Sequence, residues 1–491
     1  MAADAGAARP HLLLAGGGHS HALLLRRWAM RPRLRPRARI TLVSRSGSSV
    51  YSGMVPGVVA GLYSPEQAAI DLRQLCAAAD VRFIAAEVRG IEPEQRQLLL
   101  LDRPPLAWDW LSLDVGAVSK PPPGERGVKP LEPFLAWAAG LEAGSSLTIR
   151  GGGAAAVELA LALRARGLQA TLLLRSQGLR LGSPAANRRG EALLRQAGVA
   201  MRRQIDPETD GAPADLACTG SHGPPWLAAA GLPCDATGRI LTEASLRVEG
   251  SERIFASGDC GVIRSAQRPP SGVWAVRAAA ILAANLERGL RGRPLRRWRP
   301  QQRALQLLGV GGAGQPRAVA LWGPWALGPS RWLWRWKDRI DRRFMERLGG
   351  TRRAMQTQAP MACRGCGAKL AAAPLAAALA EQGLIGPAED ASVIGRCAGG
   401  ALLLQSVDGF PALVDDPWLN ARLTTLHACG DLWACGAAVE SVQALVTLPE
   451  TDTTEQRDLL SQTLAGIRSV LDPLGARLAG GHTLEVATVP A

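Results

Sequence analysis

The chain of 491 residues is long enough for about three domains of ordinary size. Its 47% of hydrophobic residues suffices for buried cores, but no run approaches the roughly 18 uninterrupted apolar residues of a membrane-spanning helix. The nine cysteines are an odd number scattered along the chain, which argues against a disulfide framework and favours a cytoplasmic protein. The N-terminal MAADAGAARPH runs into the first predicted strand without room for a signal peptide.

The net charge of +15 is unevenly distributed. Residues 361 to 491 contain 7 basic and 14 acidic residues, which leaves a net charge of +22 for residues 1 to 360. This change predicts a domain boundary near residue 360. The positive charge is almost entirely arginine and comes with no zinc-finger, RRM or helix-turn-helix signature, so we expect no nucleic-acid partner.

The first predicted element is the stretch LLLAGGGHSH, residues 12 to 21. Its apolar run predicts a buried parallel strand, and Gly16, Gly17 and Gly18 then lead into a helix. Strand, glycine turn and helix form the cradle that binds a dinucleotide pyrophosphate, because bare backbone and a helix N-terminus face the phosphates. His21 stands where the GxGxxG fingerprint has its third glycine. A tight strand-to-helix turn without a ligand is the plain alternative.

The segment RITLVSR, residues 39 to 45, predicts the second strand of this unit. An acidic residue commonly ends that strand and binds a ribose hydroxyl, but Ser44 and Arg45 stand here. Residues 50 to 63 predict a glycine-rich loop on the cofactor side. Residues 108 to 119 predict a strand whose small-residue turn at Gly116 and Ala117 passes close to the adenine nucleotide.

A second loop of the same kind occurs in LTIRGGGAAAVELA, residues 147 to 160. Gly151 and Gly153 belong to its turn, Ala156 takes the third-glycine position, and Glu158 lies on the helix that follows. Two such loops in one chain suggest two dinucleotides meeting head to head. The strand after the second loop ends in Arg175 instead of an acid, and an arginine there can accept a 2′-phosphate, so NADH and NADPH both stay open.

The stretch RIFASGDCG, residues 253 to 261, predicts an apolar strand that delivers Gly258 and Asp259 at its carboxyl end. An aspartate at this place can bind the ribityl chain of a flavin, although a Gly-Asp turn that merely ends the strand is about as common. A long helix is predicted over residues 272 to 290.

The motifs GGGHSH, YSGMVPG, DWLSLDVGA, GGGAAAVELALAL and IFASGDC, in this order, resemble the FAD-dependent pyridine nucleotide oxidoreductases, in particular the branch of type II NADH dehydrogenases. The resemblance spans residues 11 to about 345. It implies FAD on the first loop with Asp259 near its ribityl chain, and NAD(P)H at Gly151, Gly153 and Glu158. The redox cysteine pair of the disulfide reductases is missing, since Cys76 stands alone in the N-terminal domain, so electrons would pass from flavin to a small acceptor such as a quinone.

Residues 322 to 345 concentrate five of the fourteen tryptophans among arginines. Tryptophan with arginine suits a membrane interface, where rings lie at headgroup depth and cations contact phosphates. Peripheral contact with the inner face of a membrane is one interpretation. A helix that packs its tryptophans on the flavin domain is the other.

Residues 361 to 491 begin with a CxxC pair, Cys363 and Cys366, for which no second pair completes a zinc site. GCGAKL, AEDASV, SVDGF, HACGDLWACGA and LAGGHT, in this order, resemble the N-terminal half of selenide, water dikinase (selenophosphate synthetase). The resemblance implies binding of ATP and Mg²⁺, use of selenide, and a half that dimerises through a β-barrel. His427 stands where the family often has Asn, and the chain ends at residue 491, before the family's second half.

The same resemblance implies functional residues at five positions of this sequence. Cys366 and Lys369 match the catalytic pair, Asp390 and Asp431 match metal ligands, and Asp408 matches an acid of the phosphate site. A thiolate three residues from an ammonium is a plausible activated nucleophile.

The expected fold is therefore α/β, with two Rossmann-like domains, the second inserted in the first, followed by an α+β half of the selenophosphate synthetase (AIRS) type. The expected division is FAD-binding over 1–120 and 246–320, NAD(P)H-binding over 121–245, an amphipathic segment and linker over 321–360, and the dikinase-like domain over 361–491. Three functions stay open: a bifunctional oxidoreductase and dikinase, an NAD(P)H:quinone oxidoreductase with a tail that only binds ATP or dimerises, and a non-enzymatic nucleotide sensor or scaffold.

Overall fold

The computed structural model describes residues 9–205, 213–312, 314–349, 371–384, 390–409 and 411–486. The helices of these ranges are α1 (His19–Met30), α2 (Val55–Val59), α3 (Leu72–Ala78), α4 (Leu131–Ala139), α5 (Ala154–Ala165), α6 (Pro184–Gln196), α7 (Pro225–Ala229), α8 (Gly272–Leu290), α9 (Arg331–Gly349), α10 (Ala372–Glu381), α11 (Pro417–Ala434) and α12 (Thr453–Leu474).

The strands are β1 (His11–Ala15), β2 (Arg39–Ser44), β3 (Ser48–Val50), β4 (Ala69–Asp71), β5 (Arg82–Ala85), β6 (Val88–Glu92), β7 (Gln97–Leu100), β8 (Leu106–Ala107), β9 (Trp110–Leu113), β10 (Arg126–Gly127), β11 (Ser146–Arg150), β12 (Gln169–Leu174), β13 (Ala200–Arg203), β14 (Leu216–Ala217), β15 (Ile240–Thr242), β16 (Ile254–Ala256), β17 (Gly261–Ile263), β18 (Gln306–Val310), β19 (Arg317–Trp322), β20 (Trp325–Ser330), β21 (Ala391–Arg396), β22 (Leu402–Ser406), β23 (Ser441–Pro449) and β24 (Arg477–Val486).

The chain folds into two compact units. The larger unit comprises residues 10–96 and 108–354, and the smaller unit comprises residues 1–9, 97–107 and 355–491.

A five-stranded sheet in the order β16-β9-β1-β2-β5 forms the first half of the larger unit. All its strand pairs are parallel, and Leu12 of β1 lies between Ile40 and Trp110. β1 is buried along its whole length, which is why it reads as a continuous apolar run. The strands predicted at residues 12 to 15 and 39 to 45 are confirmed as β1 and β2, and the helix predicted over 272 to 290 is confirmed as α8.

A second parallel sheet, β10-β14-β11-β12-β13, is built from the residues between β9 and β16. The chain therefore leaves the first sheet after β9 and returns to it at β16. The predicted fold class, two Rossmann-like domains with the second inserted in the first, is confirmed by this order of strands.

Three antiparallel strands, β18-β19-β20, and the long helix α9 end the larger unit. The segment 50 to 63, expected as a loop, contains a turn of 3-10 helix at Ser52–Met54 and the short helix α2. Pro56 in the first turn of α2 favours this helix, because its fixed φ suits a helix start and its missing N–H would have no partner there.

The smaller unit consists of the hairpin β7-β8, the hairpin β21-β22, the parallel pair β23-β24 and helices α10 to α12. Helices α11 and α12 pack around a core that includes Cys429, Ile467 and Leu471. Asp416 caps the N-terminus of α11 by accepting from Trp418 N and Leu419 N. Arg103, between β7 and β8, forms a two-pronged ion pair with Asp416 in which both side chains are almost fully buried.

Candidate functional site

A cleft of about 530 Å³ opens at the carboxyl ends of the first parallel sheet. This edge is where open α/β sheets bind their ligands. Eight of the nine side chains and glycines predicted to hold the first dinucleotide line it: Gly16, Gly17, Gly18, Ser44, Arg45, Ala117, Gly258 and Asp259. His21 is the ninth and does not line the cleft.

The first glycine loop is packed too tightly for any other residue. Gly16 has φ +94°, and a Cβ there would lie 2.3 Å from the carbonyl oxygen of Asp114. A Cβ on Gly17 would lie 2.2 Å from Leu72 Cδ1. The loop therefore presents bare backbone beside the N-terminus of α1, and these residues fit the pyrophosphate of a dinucleotide.

Asp114, which follows β9, holds the start of α1. Its Oδ2 accepts from Ser20 N at 2.8 Å and from His21 N at 3.0 Å. The side chain is buried and lies between two glycines, since a Cβ at Gly18 or at Gly258 would clash with its carboxyl group. Burial raises the pKa of Asp114 to about 6. This residue was not among the predicted site residues, because it follows an apolar strand and its contacts are distant in sequence.

His21 fills the space between α1 and the sheet where the fingerprint has a glycine. Nδ1 donates to the carbonyl oxygen of Gly16 at 2.7 Å, and Nε2 accepts from Ser112 Oγ at 2.8 Å. Burial lowers its pKa to about 4, so the ring is neutral at physiological pH. Its position is that of a packing residue at the helix–strand contact.

Two ion pairs border the cleft. Lys129 Nζ lies 2.5 Å from Asp259 Oδ2, with both side chains about four-fifths buried. Arg45, where the fingerprint has an acid, pairs with Glu132 near the surface. The cleft thus offers cations that suit phosphate oxygens. Lys129 was not among the predicted site residues.

His19 lines the cleft and packs against aromatic rings on its far side. Its ring centroid lies 5.5 Å from that of Tyr51 in an edge-to-face arrangement, and the Tyr51 and Phe344 rings stack at 4.5 Å. Its Nε2 is buried without a hydrogen-bond partner, and burial lowers its pKa. An unpartnered imidazole nitrogen at the wall of the cleft leaves one polar atom for a ligand.

The second glycine loop leads from β11 into α5. A Cβ at Gly151 would lie 2.7 Å from Cys218 O, whereas Gly153, the N-cap of α5, has open space around it. Ala156 is fully buried, as the closely packed third position of the fingerprint requires. An open glycine at a helix N-terminus without a side-chain cap fits a second pyrophosphate. Arg175, just after β12, is exposed.

Glu158 on α5 belongs to a buried group of charges. Its Oε1 accepts from Gly309 N at 2.8 Å, and burial raises its pKa to about 7 against the opposing influence of Lys337. Lys337 Nζ donates to Asp341 Oδ2 at 2.6 Å and to Gly53 O at 2.8 Å, and Tyr51 donates to Asp341. These contacts fix helix α9 on the segment that contains Tyr51 and Gly53.

The tryptophans of 322 to 345 divide between one that packs in the larger unit and four that are exposed. Trp334 stacks on Tyr63 with ring centroids 6.0 Å apart. Trp322, Trp325, Trp332 and Trp336 are exposed, with 73% of Trp325 and 76% of Trp332 accessible to solvent. Trp332, Trp336 and Ile340 lie on one face of α9 at intervals of four residues, beside exposed arginines. We call Trp322, Trp325, Trp332, Trp336 and Ile340 the tryptophan face.

The predicted residues of the C-terminal region are only partly described. Cys366 and Lys369 lie outside the described residues. Asp408 contacts Nδ1 of His427 at 2.7 Å, Asp431 accepts from Ser406 Oγ at 3.1 Å, and Asp390 is exposed before β21. Within the described ranges, no three His, Cys, Asp or Glu side chains come close enough to hold a metal ion, so Asp390 and Asp431 are not brought together there with a third ligand.

Residues 16 to 279 match the pyridine nucleotide-disulphide oxidoreductases, over more than half of the chain. The chain belongs to the pyridine nucleotide-disulphide oxidoreductase family. The larger unit, which contains the matched residues, is an FAD-dependent NAD(P)H oxidoreductase, as the sequence predicted.

Two solved structures share the fold of 70% of this chain. The sulfide:quinone oxidoreductase from the hyperthermophilic bacterium Aquifex aeolicus is 16% identical and superposes with a TM-score of 0.56 over 70% of this chain and 92% of that chain. NDH2 from Plasmodium falciparum in complex with NADH is 13% identical, with a TM-score of 0.52 over 70% of this chain and 98% of that one. At these identities the likeness shows the fold.

Residues 388 to 490 match the N-terminal domain of AIR synthase related proteins. Selenide, water dikinase from Myxococcus xanthus is 34% identical over 131 residues, which are 25% of this chain and 36% of that protein. The same protein from Geobacter metallireducens is 35% identical over 104 residues, 21% of this chain and 29% of that one. The chain thus spans about a third of the relatives it matches, and the oxidoreductase is fused to a selenide, water dikinase-like region.

Proposed function

We propose that the larger unit takes a hydride from NAD(P)H onto FAD and passes the electrons to a small acceptor of the quinone class. The observation that carries this proposal is the cleft at which eight of the residues predicted to hold the first dinucleotide converge. FAD, when bound, supplies the ring that accepts the hydride and gives up electrons. None of the described residues that line the cleft is a cysteine, which favours direct transfer to the acceptor.

The residues of this chain bind and orient. The Gly16–Gly18 loop and the N-terminus of α1 would hold the FAD pyrophosphate, and Lys129 keeps Asp259 directed at the ribityl chain. Gly153 and the N-terminus of α5 would hold the pyrophosphate of NAD(P)H. The exposed Arg175 favours acceptance of a 2′-phosphate, so we expect NADPH as well as NADH to react.

Absorbance spectroscopy tests the redox proposal. The purified full chain is expected to show a flavin spectrum that bleaches under anaerobic NADH or NADPH and recovers on addition of a soluble quinone such as menadione. Gly153→Asp should prevent bleaching while leaving the flavin bound, because it places a negative charge at the nucleotide pyrophosphate. A yellow protein that neither nucleotide bleaches would overturn the proposal, and a colourless protein would favour a sensor or scaffold.

We propose that the tryptophan face attaches the enzyme peripherally to the inner face of an anionic membrane, where a quinone is available. No helix in the described part of the chain is long and apolar enough to cross a bilayer. Four exposed tryptophans beside arginines would place rings at headgroup depth and cations on lipid phosphates.

Vesicle flotation tests the membrane proposal. The protein should float with phosphatidylglycerol vesicles, and Trp332→Ser with Trp336→Ser should reduce this at least about fivefold. Trp226→Ser, which alters a tryptophan of the cleft wall instead, is the matched control. Wild-type protein that stays at the bottom of the gradient at low salt would end the membrane proposal.

We propose that residues 361–491 bind ATP with Mg²⁺ as a selenide, water dikinase-like domain, and that Cys366 and Lys369 act there on a selenium substrate. The five ordered motifs and the identity to the dikinases support this. An oxidoreductase fused to such a domain would supply it with reduced selenium, since NAD(P)H can reduce an oxidised selenium species to selenide.

Selenide-dependent hydrolysis of ATP to AMP is the readout. Cys366→Ser and Lys369→Ala should abolish it, whereas Cys363→Ser, the other cysteine of the CxxC pair, should not. ATP binding without hydrolysis in the wild-type protein would support the second candidate function, an oxidoreductase with a non-catalytic tail.

We propose that a second copy of the chain covers the apolar hairpin β21-β22. Val393, Ile394, Leu402 and Leu403 are all exposed on it, with 58% of Val393 accessible. Exposed apolar strands of this kind mark an interaction surface. A dimer by light scattering that Ile394→Glu dissociates, and that Leu375→Glu on the exposed helix α10 leaves intact, is the expected result. A monomeric wild-type chain at micromolar concentration would contradict it.

A further inference from the structure

The Asp114 side chain bonds to the start of α1 and packs against Gly258 in the turn at Gly258–Cys260. Its Oδ2 accepts from the backbone N–H groups of Ser20 and His21, two of the first amides of the helix. These amides carry the partial positive charge that a helix N-terminus offers to an anion. A carboxylate therefore already binds the helix end that the dinucleotide fold uses for phosphate.

The Asp114 carboxyl group packs directly against Gly18 of the first glycine loop and against Gly258. A Cβ on Gly18 would lie 2.3 Å from Asp114 Cγ, and a Cβ on Gly258 would lie 2.1 Å from Asp114 Oδ1. Both glycines line the cleft together with Asp114 itself. A pyrophosphate seated on the Gly16–Gly18 loop would thus lie within a few ångströms of the Asp114 carboxyl group.

The groups that face Asp114 do little to neutralise it. On α1, His19 has its pKa lowered by burial, and the neutral His21 ring turns to Gly16 and Ser112. On the Gly258–Cys260 turn, Asp259 is already paired with Lys129, and burial keeps the Cys260 thiol protonated by raising its pKa. Among the described contacts, no lysine or arginine bonds to Asp114.

We propose that Asp114 makes FAD binding proton-linked: the cofactor is held most tightly when this carboxyl group is protonated and is released more readily as the pH rises. The proposal rests on the proposed function, since it requires FAD on the first loop. Asp114 is a positioning residue in this scheme, because it keeps the α1 amides and the Gly258 turn in place and sets the local charge.

The expected pH range follows from the electrostatics. Burial raises the pKa of Asp114 to about 6 in the protein without cofactor. A nearby phosphate charge raises that pKa further, so FAD binding takes up a proton from solvent onto the Asp114 carboxylate. A ligand whose binding raises a pKa loses affinity as the pH rises, by up to about tenfold per pH unit between the two pKa values.

The test compares FAD dissociation constants of the deflavinated full chain between pH 6 and pH 8.5, measured by flavin fluorescence. The wild-type constant should rise about tenfold or more across this range. Asp114→Asn should show a constant that is flat with pH and is below the wild-type value at pH 8. Asp71→Asn, which alters an exposed aspartate that caps α3 through Gln74 N, should keep the wild-type slope.

A second measurement needs no variant. Calorimetric titration of the wild-type protein with FAD at pH 7, in two buffers of different ionisation enthalpy, should show net uptake of a fraction of a proton. FAD binding with no pH slope and no proton uptake, or an Asp114→Asn slope equal to the wild-type slope, would overturn this inference alone. Failure to bind FAD at any pH would instead overturn the proposed function.

Discussion

Lys129 and Asp259 are 130 residues apart in the sequence, and Nζ of the first lies 2.5 Å from Oδ2 of the second at the edge of the cleft. Lys129 follows β10 of the second sheet, and Asp259 follows β16 of the first sheet. The pair therefore joins the two parallel sheets of the larger unit at the edge of the cleft.

Removal of the lysine charge should weaken cofactor binding. Lys129→Gln is expected to lower FAD affinity about three- to tenfold, because Asp259 loses the cation that orients it and the cleft loses a charge suited to phosphate. Lys120→Gln, which alters an exposed lysine outside the cleft, is the control. Equal flavin retention by both variants after gel filtration would contradict the role given to Lys129.

The effect of the close packing around Gly258 on stability should be measurable by comparison with Gly250. Gly258 and Gly250 have φ values of +66° and +75°, but a Cβ at Gly250 has no neighbour within 4 Å. Gly250→Ala should lower the free energy of unfolding by about 1–2 kcal/mol through backbone strain alone. Gly258→Ala should cost at least about 2 kcal/mol more because of the clash with Asp114.

A double variant separates the clash from other effects of Gly258→Ala. Introduction of Asp114→Ala removes the carboxyl group that the new methyl group would meet, so Gly258→Ala should cost less in that background. Denaturant unfolding followed by tryptophan fluorescence gives the four values. Full additivity of the two substitutions would show that a clash with Asp114 is not the cause of the stability lost in Gly258→Ala.

Glu158 should make the larger unit less stable as the pH rises from about 5 to 7. Burial raises its pKa to about 7 in the folded state, above the ordinary value of 4.5, so the folded protein binds the extra proton in this interval. Stability falls as the pH passes from the unfolded-state to the folded-state pKa, by on the order of 2–3 kcal/mol, and changes little above.

Thermal unfolding of Glu158→Gln tests whether Glu158 lowers the stability as the pH rises. The variant should gain stability relative to the wild-type protein between pH 5 and pH 8, because glutamine keeps an acceptor for Gly309 N and never ionises. Glu287→Gln, at an accessible pair with Arg291, should show no such trend. A wild-type minus variant difference that does not change with pH would be the contrary outcome.

Two i,i+4 ion pairs of the larger unit should differ in their effect on stability. The side chains of Lys337 and Asp341 on α9 are 9% and 6% exposed, whereas those of Arg291 and Glu287 at the end of α8 are 41% and 24% exposed. Lys337→Met should cost about 3–5 kcal/mol, because it leaves the Asp341 carboxylate buried without its cation. Arg291→Met should cost less than about 1 kcal/mol. Denaturant midpoints that are similar for the two variants would refute the burial argument.

The sequence predicted the parts of the fold that repeat a local pattern. β1 and β16 are short apolar runs that end at a glycine turn, β11 alternates polar and apolar residues before its glycines, and α8 has an apolar face along its whole length. Such periodicities identify an element without knowledge of its neighbours. The glycine loops could be found for the same reason, since each needs bare backbone within a few residues.

The contacts that decide the cleft could not be predicted in this way. Asp114 accepts hydrogen bonds from two residues that lie 93 and 94 positions earlier in the chain. Nothing in the string DVGA distinguishes a buried carboxylate from an ordinary turn at the end of a strand. The i,i+4 spacing of Lys337 and Asp341 is visible in the sequence, but an arginine-rich helix predicts a solvated pair. Only the packing of α9 on the segment at Gly53 buries it.

The hydrogen bond from Lys337 to the carbonyl oxygen of Gly53 joins helix α9 to a segment beside the cleft. Gly53 follows Ser52, which lines the cleft, while Trp336 precedes Lys337 and faces solvent. Lys337 thus connects helix α9, which exposes Trp336 to solvent, with the wall of the cleft. We therefore expect a fluorescent probe attached at position 336 to change its emission when a ligand fills the cleft.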